Sequence, residues 1–328
     1  MIRTDRIRAV GHNSMLSKIK FFAVYNKLLK KYSNVLFYPI LKTAPISTDP
    51  YSNTILYTLL DKRNYCAYLV AAKSFLQYYN KLRVVVQSDG SLDNASKKHL
   101  KEHIAGIEIY ERDETWDFIK KNADSEVLDS LPDLSRCHLL LPFKLLNVIY
   151  RFKGQKVILM DSDLVFLREP AFVIDWINDG RGHSFYSDGG SLLAEPFHEI
   201  GLEFPKVDIA DFNSGIAGFH NELDHHAMSR IIRKIRAFDE TLFSNWEIEQ
   251  AIWSVLFNQF DNPVNLDDVQ SDYVGSGWWT YSRLLEKCVV AHFVGAIRFK
   301  NLRYVRLANR VMRGLREKST VRETGEKA

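Results

Sequence analysis

The sequence predicts an α/β fold built on a largely parallel sheet with helices on both faces. Two observations predict it. From about residue 54, short apolar runs of strand length alternate with longer stretches of helical periodicity. The chain has 328 residues, 46% hydrophobic and 26% charged, which suits a globular chain of enzyme size.

The elements follow in order. A strand is expected over 53–60, an Ala- and aromatic-rich helix over 65–79, a strand over 82–87, a helix over 96–104 and a short strand over 107–110. This βαβαβ opening places ligands beyond the C-terminal strand ends. An apolar helix is expected over 134–150 and a buried strand over 156–160. Later strands fall at 212–219 and 289–293, with helices at 227–238 and 246–257 between them. The stretches 111–132 and 179–211 read as long polar loops, of the kind that serve as lids or substrate-binding segments.

Charge divides the chain in three. Residues 1–42 carry nine Lys/Arg and one acid, residues 298–328 carry ten Lys/Arg and three acids, and 43–297 is left with 25 basic and 36 acidic residues. In the N-terminal part Met15, Ile19, Phe22, Tyr25, Leu29 and Tyr32 recur at helical spacing. Near the other end Arg303, Arg306, Arg310 and Arg313 oppose Tyr304, Ala308, Val311 and Leu315. The expected organisation is a basic amphipathic extension over 1–48, a catalytic body over 49–300 and a basic helix and tail over 301–328. Two readings of these ends stand open: docking on an anionic membrane surface, or packing on the body with the charges solvated.

No apolar run approaches the ~20 residues that span a bilayer, and Arg3, Arg6 and Arg8 precede no apolar stretch of signal type. Cys66, Cys137 and Cys288 lack CxxC spacing, which argues against a zinc site or a disulfide framework. A cytoplasmic protein is expected, peripheral on the membrane face if the basic ends dock there. No recognised motif supports nucleic-acid binding.

The chemistry concentrates in five places. Asp161-Ser162-Asp163 ends the apolar run 157–160, and two carboxylates one residue apart cradle a hard divalent cation, Mg²⁺ or Mn²⁺. Both reach one ion if strand geometry continues through Ser162; a turn there would divide their roles. In Asp211-Phe212-Asn213-Ser214-Gly215, a glycine within a strand-like run marks a bulge or a close approach to a ligand, with Asn213 and Ser214 offering short hydrogen-bonding groups. In His292-Phe293-Val294-Gly295-Ala296-Ile297-Arg298, His292 can ligate the same metal, Gly295 can bring backbone N–H groups to phosphate, and Arg298 can clamp phosphate oxygens. Glu249-Gln250 open a helix whose neighbouring positions diverge by about 100°, so one of the two is expected to face the site. Lys144 is a lone charge in an apolar helix, read either as snorkelling or as a sugar or phosphate ligand.

In this order the motifs resemble glycosyltransferases of the GT-A fold, and most closely family 8, the retaining enzymes that include glycogenin and the lipopolysaccharide galactosyl- and glucosyltransferases. The resemblance covers about 54–298 and implies a mixed sheet flanked by helices. It implies that Leu59 and Tyr65 border the nucleobase, Lys144 reaches the donor sugar, and Asp161, Ser162 and Asp163 form the metal-binding DxD. Ser214 belongs to the donor-sugar strand. Asn213, Glu249 and Gln250 would lie near the reacting carbon, His292 would be the third metal ligand, and Gly295 and Arg298 would hold diphosphate. Arg298 replaces the family's lysine, and the usual Pro-Trp is missing. The implied reaction moves a hexose from a nucleotide sugar, UDP-hexose foremost, to a glycan or glycolipid acceptor with retention.

Two other readings compete. A phosphatase of the haloacid dehalogenase type also ends an apolar strand in Asp-x-Asp, with Asp161 as nucleophile and Asp267-Asp268 as a distal acidic pair. A catalytically silent nucleotide-sugar-binding protein at the membrane surface is the other.

Overall fold

The computed structural model describes residues 28–325 except 30, 132–137, 139–140, 180–183, 190–192, 203–204, 261 and 296–297. The predicted helix from Met15 lies almost wholly outside the described residues, as does Cys137.

The chain is a mixed α/β structure with a central sheet flanked by helices. Besides a small parallel pair, Ile46–Ser47 with Ile104–Ala105, its strands are β1 (Thr54–Leu60), β2 (Arg83–Ser88), β3 (Glu108–Tyr110), β4 (Lys156–Met160), β5 (Leu164–Phe166), β6 (Phe185–Ser187), β7 (Asn213–His220), β8 (Val264–Asn265), β9 (Val274–Ser276) and β10 (Val290–His292). The seven-stranded sheet runs β8-β6-β7-β4-β1-β2-β3. β1, β2, β3 and β4 are mutually parallel, while β7 pairs antiparallel with both β4 and β6. The sheet is therefore mixed, because β7 enters from the far side and brings its N-terminal end beside the C-terminal end of β4.

Alternation along β1 explains its place in the middle. Leu56 and Leu60 face one buried apolar cluster, Ile55 and Tyr57 the other, so the strand is covered on both faces. The helix Tyr65–Leu76 that follows is buried at every position. It is roofed by the short helix Ser33–Phe37 and by the C-terminal helix Arg303–Gly325. Lys73, in that helix, is also fully buried; its Nζ donates to Thr43 Oγ1 (2.6 Å) and to the Ala44 carbonyl (2.5 Å). Burial pushes the Lys73 amine down to about 8.

A second sheet, β9-β10-β5, positions half the site. β5 and β10 are antiparallel, with His292 opposite Leu164. The chain leaving Asp163 is thereby paired directly with the strand that ends at His292.

Several sequence expectations change. The stretch 111–132 is no loop: it holds helices Arg112–Asn122 and Ser125–Ser130, seated by the buried Thr115, Ile119 and Val127. The stretch 179–211 contains β6 and the helix Ala194–Glu199. The helix expected over 134–150 is described from Leu141, as a π-turn Leu141–Leu146 continuing into an α-turn Asn147–Arg151.

The C-terminal helix buries Tyr304, Leu307, Ala308, Met312 and Leu315 against the body, while Arg306, Arg310 and Arg313 stay exposed. Among the described residues no helix is long and apolar enough to cross a membrane. Cys66 and Cys288 are free and buried.

Candidate active site

At the C-terminal ends of β1 and β4 and the N-terminal end of β7 lies a cavity of about 350 Å³. Asp161, Ser162 and Asp163 form its floor, and the turn they make is pinned on three sides. The Asp161 N–H donates to the Gly215 carbonyl (2.8 Å), the Phe293 N–H donates to the Asp163 carbonyl (3.1 Å), and the Tyr304 hydroxyl donates to the Ser162 carbonyl (3.1 Å). Strand geometry does not continue through Ser162, contrary to the simplest route for sharing an ion. The two carboxylates converge nonetheless, because pairing with β10 swings Asp163 round to His292.

Each carboxylate divides its oxygens. Asp161 Oδ1 accepts from Lys144 Nζ (2.9 Å) while Oδ2 lies 3.8 Å from His292 Nε2. Asp163 Oδ2 accepts from an Arg298 guanidinium N–H (2.6 Å) while Oδ1 lies 3.4 Å from His292 Nε2. One oxygen of each acid thus faces the same imidazole nitrogen, and the ligand atoms of the three residues lie within 4.8 Å of one another. His292 Nε2 is buried without a hydrogen-bond partner among the described residues. A buried polar atom in that state calls for an occupant, and two carboxylate oxygens with one imidazole nitrogen fit a divalent cation such as Mn²⁺.

Gly215 makes this approach feasible. A Cβ there would stand 2.2 Å from His292 Cε1 and 2.8 Å from Nε2. Gly215 thus marks a close approach to the His292 side chain, beside a register shift where β6 meets Asn213.

A charge cluster adjoins the acidic pair. Lys144 is buried; besides Asp161 it reaches Ser214 Oγ (3.1 Å) and stands 3.8 Å from Glu249 Oε1. The Ser214 hydroxyl donates to Glu249 Oε2 (3.1 Å). Burial works to lower the Lys144 amine, but Asp161 and Glu249 hold it above its ordinary value. Burial pushes the Glu249 carboxyl up to about 7, against the opposing pull of Lys144. Burial also opposes charge on Asp163, yet the Arg298 charge and the contact with His292 keep that carboxyl well below the usual range.

Arg298 is held from several sides. Beyond Asp163, it donates to Asn64 Oδ1 (3.0 Å) and to the Phe293 carbonyl (3.3 Å). Gly295, in the left-handed region at φ +56°, lets the chain turn between His292 and Arg298.

Of the thirteen residues expected at the site, all but Tyr65 line this cavity: Leu59, Lys144, Asp161, Ser162, Asp163, Asn213, Ser214, Glu249, Gln250, His292, Gly295 and Arg298. Tyr65 lies outside the lining; its ring stacks on His99, 5.7 Å between centroids. Glu249 and Gln250 both line the cavity, where one was expected. Both belong to the first turn of the helix Ile248–Phe257, and a divergence of about 100° still leaves both side chains on the lining. Asp267 and Asp268 do not line it.

Trp246, Val294 and Asn64 escaped the sequence reading. Trp246 lines the cavity yet is 52% exposed. Its signal was there: a large aromatic in a polar stretch three residues before Glu249.

No family model matches the chain, and no curated protein matches it. Among solved structures it is similar to the galactosyltransferase LgtC, crystallised with donor and acceptor sugar analogues, at 15% identity over 78% of this chain and 95% of that one, with a TM-score of 0.49. It is also similar to mouse xyloside xylosyltransferase 1, at 14% identity over 76% and 98% of the two chains, TM-score 0.45. Core-mannan synthase A from Aspergillus fumigatus, in an Mn/GDP form, shows 10% identity over 63% and 72%, TM-score 0.41.

Proposed function

We propose that this protein is a metal-dependent glycosyltransferase of the GT-A type, moving a hexose from a nucleotide sugar, UDP-hexose foremost, to a saccharide or lipid-linked acceptor with retention. The observation that carries the reading is the convergence of Asp161 Oδ2, Asp163 Oδ1 and the orphaned His292 Nε2, with Lys144 buried and Arg298 half-buried beside them. Asp161, Asp163 and His292 would hold Mn²⁺, with Mg²⁺ as the alternative. A cation bound there supplies Lewis-acid neutralisation of diphosphate charge.

The remaining work falls to this chain's own groups. The Arg298 guanidinium, fixed by Asn64 and Asp163, reaches phosphate oxygens with its position already set. Asn213 and Gln250 offer amide groups for sugar hydroxyls. Lys144 and Glu249 form a buried pair whose field acts at the anomeric carbon. The bond from that carbon to the diphosphate oxygen breaks as the acceptor oxygen bonds to it. The electron pair leaves with the diphosphate, and a phosphate oxygen takes the acceptor's proton.

Metal-dependent release of UDP from a panel of UDP-hexoses tests the proposal. Wild type is expected to release UDP, and Asp163→Asn to lose at least about 100-fold of that rate. Full turnover by Asp163→Asn would overturn the mechanism. Release of inorganic phosphate from phosphomonoesters would favour the phosphatase, and nucleotide binding without turnover the silent binder.

The exposed arginines Arg306, Arg310 and Arg313 suit an anionic membrane surface, which would place the enzyme at the cytoplasmic face beside lipid-linked acceptors. Reversing these three charges should abolish low-salt binding to anionic liposomes; unchanged binding would remove that part of the reading.

A further inference from the structure

Lys144 does not sit on a regular helix. The turn Leu141–Leu146 that carries it is π-helical, with one residue more than an α-turn would hold. Such a turn is rare and frequently lies at functional sites, and this one accepts a hydrogen bond from outside itself.

The stabiliser is a chain of buried polar side chains on the far side of the turn. The Tyr57 hydroxyl donates to the Phe143 carbonyl, one residue before Lys144. Asn147 Nδ2 donates to the Tyr57 hydroxyl (3.0 Å) and to Gln87 Oε1 (3.1 Å). Thr115 Oγ1 donates to the same Gln87 oxygen (2.7 Å), and Arg151 Nε donates to Asn147 Oδ1 (2.9 Å). Tyr57, Gln87, Thr115 and Asn147 are all fully buried, at 0% exposure. Four polar side chains in an apolar layer would be replaceable by apolar ones if filling space were their only task. Hydrogen-bonded to one another and to the backbone, these four instead select one geometry.

Its two ends tell what that geometry is. One end is anchored in β1, β2 and the helix Arg112–Asn122; the other stops at the carbonyl beside Lys144. No member of the network lines the cavity. We propose that Tyr57 is a positioning residue: through the Phe143 carbonyl it holds the π-turn in the register that aims Lys144 between Asp161, Ser214 and Glu249. Phenylalanine at 57 would keep the packing and lose the register.

The kinetic arm of the test rests on the transferase reading; the structural arm does not. Crystals of Tyr57→Phe should show Lys144 Nζ outside hydrogen-bond distance of Asp161 Oδ1. In a double-mutant cycle, Tyr57→Phe should lower kcat/KM for Mn²⁺-dependent UDP release about tenfold in the wild-type background and less than about twofold in Lys144→Met. Equal losses in both backgrounds, or Lys144 still within bonding distance of both Asp161 and Ser214, would overturn the proposal. If Tyr57→Phe does not fold, the isosteric Thr115→Val tests the same network from its other end. It should give a smaller loss, again absent in Lys144→Met. If the wild type turns over no nucleotide sugar, the transferase reading falls, and the position of Lys144 in the variant crystals alone decides on Tyr57.

Discussion

Replacing Glu249 with glutamine should stabilise the protein above neutral pH while removing activity. Glu249 is buried, and its carboxyl is raised from 4.5 to about 7. The folded state therefore binds this proton more tightly than the unfolded chain, which releases it near 4.5. Below pH 4.5 the carboxyl is neutral in both states and costs nothing. As pH rises from 4.5 to 7 the unfolded chain ionises first, so folding stability falls, and above 7 the whole cost is felt. A gap from 4.5 to about 7, at about 1.36 kcal/mol per pH unit, gives about 3 kcal/mol. The glutamine side chain of Glu249→Gln would mimic the neutral acid at every pH, and Lys144 keeps Asp161 as its partner. Urea denaturation in EDTA, at pH 5 and pH 8.5, reads the difference. The variant should match wild type within about 1 kcal/mol at pH 5 and exceed it by about 3 kcal/mol at pH 8.5. A difference that does not change with pH, or a variant weaker at pH 8.5, would mean that burial does not raise the Glu249 carboxyl.

Two further substitutions probe the neighbouring contacts. Gly215→Ala puts a Cβ 2.2 Å from His292 Cε1, so the ring must move; Mn²⁺ affinity by calorimetry should fall about 10- to 100-fold with the fold retained, and unchanged affinity would contradict the cradle. Asn64→Ala frees one edge of Arg298, and KM for the nucleotide sugar should rise about tenfold at constant kcat; a fall in kcat alone would assign Asn64 a different role.

What was legible in the chain follows from its physics. β1, β2 and β4 were readable because strands covered on both faces are continuous apolar runs. The acidic pair was readable because charge at the end of such a run has no packing explanation. Arg112–Asn122 reads as loop in the sequence because its buried face amounts to little more than Thr115 and Ile119, too narrow a stripe for periodicity to reveal. The convergence of Asp163 on His292 depends on β5 pairing with β10, two strands far apart in sequence whose meeting leaves no local trace. The π-turn under Lys144 was hidden for the same reason, since Tyr57 and Asn147 meet only in the folded protein. Asn64 gives no sign in the sequence because its partner, Arg298, lies more than 200 residues further along the chain.

In the function proposed above, Asp161, Asp163 and His292 are one cation site serving a nucleotide diphosphate. Crystals grown with Mn²⁺ and UDP, with anomalous scattering collected at the manganese edge, test it most directly. A single peak is expected within about 2.5 Å of Asp161 Oδ2, Asp163 Oδ1 and His292 Nε2, with the diphosphate between it and Arg298. A peak elsewhere, or UDP bound away from this cavity, would contradict it.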